Sequence, residues 1–89
     1  MKAYIVGDWG PEHNSISSVH RTYKGAFKEW NRIRKMLLNK ARHYLKDEKT
    51  SWGKEMYGRM AKSLSCRNPK KIDNYPHETP YIQEYKVKE

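Results

Sequence analysis

The chain is 89 residues long, which is room for one small domain spanning residues 1–89 and no second. Nineteen Lys and Arg against ten Asp and Glu give a net charge of +9, and no apolar run approaches the roughly 18 residues that a membrane span needs. The single cysteine, Cys66, rules out an internal disulfide framework, and four scattered histidines argue against a structural zinc site.

The opening Met1-Lys2-Ala3-Tyr4-Ile5-Val6-Gly7-Asp8 reaches an acid too soon for a signal peptide. The expectation is a soluble, intracellular protein without metal or cofactor. A domain this short buries a modest share of its surface, and aromatic rings bury the most area per residue. Three tryptophans and seven tyrosines are therefore read first as core, with homo-oligomerisation a second way to supplement it.

Ala3-Tyr4-Ile5-Val6 is β-branched and aromatic and predicts a strand, closed by Gly7 and the Gly10-Pro11 pair. Residues 15–21 predict a second strand, with Ile16 and Val19 its only apolar members, antiparallel to the first. Thr22 is the natural N-cap of a long helix. From there Tyr23, Ala26, Phe27, Trp30, Ile33, Leu37, Ala41, Tyr44 and Leu45 recur at helical spacing, and the helix fades near Asp47-Glu48-Lys49. Gly25, near its start, suggests a close backbone approach. Thr50 or Ser51 caps a second helix over residues 52–64, carried by Trp52, Met56, Met60 and Leu64 and ended by Arg67-Asn68-Pro69. Residues 70–80, with Pro69 and Pro80 at their ends and Pro76 between, predict a loop or irregular arm. Residues 81–88 predict a last strand with Tyr81, Tyr85 and Val87 on one face. The fold class is α+β: a three-stranded antiparallel sheet with two helices packed on one face, in the order ββααβ.

The charge is unevenly distributed. Residues 22–71 carry fifteen basic against four acidic side chains, whereas residues 1–21 are neutral and residues 72–89 are net −2. On the long helix Lys24, Lys28, Asn31, Arg32, Lys35, Asn39, Arg42 and Lys46 form a stripe opposite the apolar one, with Glu29 expected to lie to the side. A face serving only solubility mixes Glu with Lys, because opposite charges four apart stabilise a helix by about 0.2–0.5 kcal/mol and like charges cost as much. Six cations with little such relief predict an anionic partner, set against plain solvation of the face. Arg59, Lys62, Arg67, Lys70 and Lys71 would extend the patch if the second helix packs beside the first. Trp9, near the hairpin tip, and Trp52, at a helix start, are the candidate stacking or anchoring rings, with core burial the alternative. At the strand-to-helix junction Arg21, Thr22 and Lys24 could frame a phosphate site, although an ordinary capped helix start accounts for the same residues.

Catalytic motifs are missing. Asp8, Glu12, His13 and His20 cluster in sequence, but no nucleophile elbow, Walker loop, His-Glu-x-x-His or dinucleotide fingerprint occurs. Cys66 reads as a small buried thiol, and His43 with Asp47 four residues on reads as a surface hydrogen bond. The protein is expected not to be an enzyme.

The opening Lys2-Ala3-Tyr4-Ile5-Val6, the segment Ser18-Val19-His20-Arg21-Thr22 and the closing Pro80-Tyr81-Ile82-Gln83-Glu84-Tyr85 resemble those of short accessory proteins encoded by bacteriophages and prophages of Gram-positive hosts. Most of these have no known function, so no active residue carries over. The extended basic helix and the second helix depart from their plainer pattern. The resemblance implies a phage-encoded binder acting in the cytoplasm of an infected bacterium. The leading expectation is an inhibitor of a host nucleic-acid-handling or defence complex, for example a CRISPR effector. It would engage the complex's acidic surface or bound nucleic acid through Lys24, Lys28, Arg32, Lys35, Arg42 and Lys46, with an exposed tryptophan as anchor. Direct DNA or RNA binding is one alternative. Sequestration of a small signalling nucleotide, held by Arg21 and Lys24, is another.

Overall fold

Because successive side chains of a strand point to opposite faces, Val6 and Tyr4 go to one side of the first strand and Ala3 and Ile5 to the other. In the computed structural model, which describes residues 1–9, 14–72 and 79–88 (backbone alone at residues 8, 9, 14 and 15), that strand is β1, Lys2–Trp9. It is the centre of a three-stranded antiparallel sheet, flanked by β2 (Asn14–His20) and β3 (Pro80–Lys86). The helices α1 (Tyr23–Asp47) and α2 (Ser51–Leu64) lie between β2 and β3 in the chain. The class is α+β and the order is ββααβ.

β1 meets β2 in register Ile5 to Val19 and Val6 to Ser18, then Gly7 to Ile16, so one extra residue, Ser17, bulges from β2. The bulge puts Ile16 and Val19 on the same face although they are three apart. On the other edge, Val6 faces Ile82, Gly7 faces Tyr81 and Ala3 faces Tyr85. One side of the sheet thus carries Tyr4, Val6, Ser18, His20, Ile82 and Glu84. The reverse side carries Ala3, Ile5, Ile16, Val19, Tyr81, Gln83 and Tyr85 and holds no charge among these residues. Tyr81 and Tyr85 do share a face, but the residues of β3 that join the core are Pro80 and Ile82. Val87 lies beyond the strand, its amide donating to the Met1 carbonyl at 2.8 Å.

α1 lies across the Val6 side of the sheet and packs on all three strands, whereas α2 packs on α1 and, among the described residues, on no strand. The molecule is accordingly elongated, 54 × 24 × 19 Å. Two cores share the helix. Val6, Ala26, Trp30, Ile33 and Ile72 form the first, between the sheet and the N-terminal half of α1. Leu38, Ala41, Met60 and Leu64 form the second, between α2 and the C-terminal half, and Leu37 packs against both. Trp30 is fully buried and its indole N–H donates to the Pro80 carbonyl at 2.9 Å, which ties α1 to the start of β3.

The caps fall where the sequence puts them. The Thr22 hydroxyl accepts the Gly25 amide at 3.1 Å and the Thr50 hydroxyl accepts the Gly53 amide at 3.0 Å. The Glu48 carboxylate folds back on the connection and accepts from the Lys49 and Thr50 amides and the Thr50 hydroxyl. Its side chain lies so close over α2 that a β-carbon on Gly53 would come within 2.3 Å of it. Gly25 also sits under a close approach, 3.4 Å from a virtual β-carbon to His20 Nδ1. Within the arm expected over residues 70–80, Ile72, Thr79 and Pro80 are buried; residues 73–78 lie outside the described segments.

Candidate polyanion-binding face

Because α1 buries one arc against sheet and α2, its opposite arc must face water. Lys24, Lys28, Arg32, Lys35, Arg42 and Lys46 are all exposed on it. At 1.5 Å per residue they line a helix face about 33 Å long. Lys24, Lys28, Lys35, Arg42 and Lys46 have no carboxylate within ion-pair distance among the described residues. Like charges three and four residues apart on this face repel one another without internal relief.

Arg32 is the exception, and here the expectation fails. Glu29 does not lie to the side: it receives the Arg32 Nε–H on both carboxylate oxygens, at 3.1 and 3.0 Å, and an Nη2–H as well. The guanidinium holds the Glu29 carboxyl below the usual glutamate range. Residues three apart share a helix face, so the spacing itself carried the signal. Arg59 of α2 is likewise paired, with Glu55 at 3.0 Å.

Arg34, also on α1, takes no part in the stripe. Only 4% exposed, it lies inside the apolar arc, its guanidinium 5.8 Å from the centre of the Trp30 ring. Nε and Nη2 donate to Asn31 Oδ1 at 3.0 and 2.8 Å, and Nη1 donates to the Leu64 carbonyl at 2.7 Å. It therefore satisfies an end carbonyl of α2, where a helix dipole favours a cation. No carboxylate faces it among the described residues. Burial lowers its pKa from the ordinary arginine value and the positive charge of Arg67 adds to the effect, although an arginine stays protonated in water at any ordinary pH.

Arg34 forms part of a cleft of about 340 Å³ lined also by Lys35, Leu38, Asn39, Arg42, Ser65 and Arg67. Four cations and no acid line it. Arg67 thereby joins the α1 stripe, as expected if α2 packs beside α1. A second concavity, about 530 Å³, opens on another flank of the helix pair. Its lining is mostly apolar and aromatic, with Leu37, Ala41, Met56, Met60 and the stacked Tyr44 and Tyr57, and Lys40 at its edge.

Of the candidate rings, Trp52 is 72% exposed in the first turn of α2. Trp9 ends β1 opposite Asn14; its side chain lies outside the described residues. Arg21 and Lys24 are exposed beside Thr22, whose hydroxyl serves the helix cap. Of the groups weighed for catalysis, His20 shares a 2.6 Å hydrogen bond with Ser18 Oγ, and the half-buried Cys66 contacts the Asn68 carbonyl at 3.6 Å. His43 and Asp47 approach to 3.5 Å on an open surface. Asp8, Glu12 and His13 have no described side chains. Among the described residues no group of three or more His, Cys, Asp and Glu could hold a metal ion, and no helix is long and apolar enough to cross a membrane.

No family model, curated protein or solved structure matches the chain, which leaves its own side chains as the guide to function.

Proposed function

We propose that this is a non-enzymatic binding protein of the phage accessory type, which inhibits a host nucleic-acid-handling or defence complex by laying the basic face of α1 against its nucleic acid. One observation carries the reading: Lys24, Lys28, Lys35, Arg42 and Lys46 stand exposed along one helix with no carboxylate within ion-pair distance among the described residues. A polyphosphate backbone removes their mutual repulsion and releases its own counterions, which is the dominant source of affinity in such contacts. Contacts of this kind fix position and orientation and read no base sequence. The exposed Trp52 supplies a ring on which an unpaired base, or an apolar patch of the complex, can rest.

The test is capture of the target from a bacterial lysate on immobilised protein, with the co-purifying nucleic acid analysed, in parallel with Lys28→Glu, Lys35→Glu and Arg42→Glu combined. The triple variant should keep its circular dichroism, because all three side chains are exposed, and lose the target together with its nucleic acid. Retention by the folded triple variant would remove the face from the mechanism.

A further inference from the structure

The cleft beneath Arg34 suits a narrower ligand than the open face. An arginine has five N–H groups. Three of those on Arg34 are used by Asn31 and Leu64, which leaves one on Nη1 and one on Nη2. Among the described residues this buried cation is held by an amide oxygen, a helix-end carbonyl and the face of the Trp30 ring, with no carboxylate beside it, a costly arrangement that an anion would complete. Arg67 stands close enough to lower the Arg34 pKa by repulsion, with Arg42 and Lys35 lining the same cleft. The guanidinium groups of Arg34, on α1, and of Arg67, beyond the end of α2, line one cleft with no carboxylate among its lining residues, and together suit the tetrahedral oxygens of a phosphate through forked, charge-assisted hydrogen bonds.

We infer that this cleft is a phosphate-binding site that takes a phosphodiester of a nucleic-acid strand. Lys35 and Arg42 carry the choice of a strand over a free anion, since both line the cleft and also belong to the exposed stripe. A backbone tracking the stripe from Lys24 and Lys28 passes the Arg32–Glu29 pair and reaches the cleft at Lys35. The unused Arg34 N–H groups and the Arg67 guanidinium then hold one phosphate, while the stripe holds its neighbours by charge alone. Ser65 contributes shape only, for its hydroxyl donates to the Ala61 carbonyl at 2.7 Å. The inference rests on the nucleic-acid reading of the face and adds to it a defined site.

The full chain, labelled with nitrogen-15, is titrated at about 0.15 M salt with single-stranded oligothymidylate and separately with inorganic phosphate, following the Arg34 Nε–H and the amides of Ser65 to Arg67. Oligothymidylate should move these resonances and bind at least roughly tenfold tighter than phosphate alone. Arg67→Gln should weaken it by roughly tenfold or more, the loss of a charge-assisted fork, against at most about fivefold for Lys24→Gln, one counterion's worth at that salt. Both side chains are exposed, so neither change threatens the fold. Shifts confined to the stripe, with Arg34 and Arg67 silent, would overturn the cleft and leave the face intact. Phosphate binding as tightly as the oligonucleotide would make it a free-anion site and overturn the strand. Absence of any shift would overturn direct phosphodiester binding on cleft and face together, while the capture experiment still decides whether a host complex is engaged.

Discussion

If the face of α1 grips phosphates by charge, each unpaired cation contributes a countable increment to the salt dependence. Lys24, Lys28, Lys35, Arg42 and Lys46 are the members with no ion pair among the described residues. Five contacts to a duplex predict a slope of log K against log salt of about −4.5, or about −3.5 on a single strand. Between 50 and 200 mM salt the duplex affinity then falls about 500-fold. Two substitutions move the slope in opposite directions. Lys28→Gln removes one contact and flattens it by about 0.9. Glu29→Gln does the reverse: it frees the Arg32 guanidinium that Glu29 now occupies and steepens the slope by about 0.9. The latter variant loses a helix pair worth about 0.2–0.5 kcal/mol, so it binds more tightly while being slightly less stable. Fluorescence anisotropy of a labelled 20-mer from 50 to 200 mM salt reads all three slopes. A wild-type slope shallower than about −1, or a Glu29→Gln slope no steeper than wild type, would refute the assignment of unpaired and paired cations.

Three further outcomes test the fold beneath the face. Trp30→Phe leaves the buried Pro80 carbonyl without its 2.9 Å donor, about 1–3 kcal/mol, and adds about 1 kcal/mol for the smaller ring; a melting point about 10–25 °C lower is expected, and a loss under about 1 kcal/mol would show that this tie is unimportant. Glu29 and Glu48 both have pKa values held below the ordinary glutamate range, the first chiefly by its hydrogen bond to Arg32 and the second by bonds from Thr50; the stability they add is present above the ordinary range and lost as pH falls through their depressed values, so urea midpoints should drop on acidification and drop less steeply in Glu48→Gln. Ile16→Thr with Val19→Thr, on the uncovered side of the sheet where both are about 60% exposed (61% and 62%), should stay within about 0.5 kcal/mol of wild type for each change in thermal melts; a larger loss would mean that this surface is covered in solution.

Periodicity made most of the architecture readable, because helix α1 buries a wide arc and both helix starts carry a threonine whose hydroxyl has an amide to accept. What escaped was where a local rule was overridden. Ile16 and Val19 are three apart and belong on opposite faces of a regular strand; the Ser17 bulge opposite Gly7 re-phases them. Leu38 and Arg34 lie in the buried arc of α1, yet a basic residue reads as surface until a neighbouring helix offers its terminal carbonyl, and Leu64 belongs to α2. The packing of α2 on α1 alone also has no local signature, since its Met and Leu positions would suit a sheet equally well. For the candidate site, the stripe was legible from spacing. Its interruption by Glu29 could have been read from the same three-residue step, whereas the cleft needed the fold to bring Arg67, from beyond α2, to the side of α1 that holds Arg34.

Placing two separate cores along one rod makes Arg34 a rivet. Its ring neighbour, Trp30, belongs to the sheet-side core, and its carbonyl partner, Leu64, to the helix-side core. The C-terminal half of α1 and α2, which among the described residues touches no strand, can unravel while the sheet end stays closed, and amide exchange should be faster there. Anything seated against that guanidinium is then felt at both ends of the molecule, and a ligand's arrival should slow exchange as far away as Val6 and Met60.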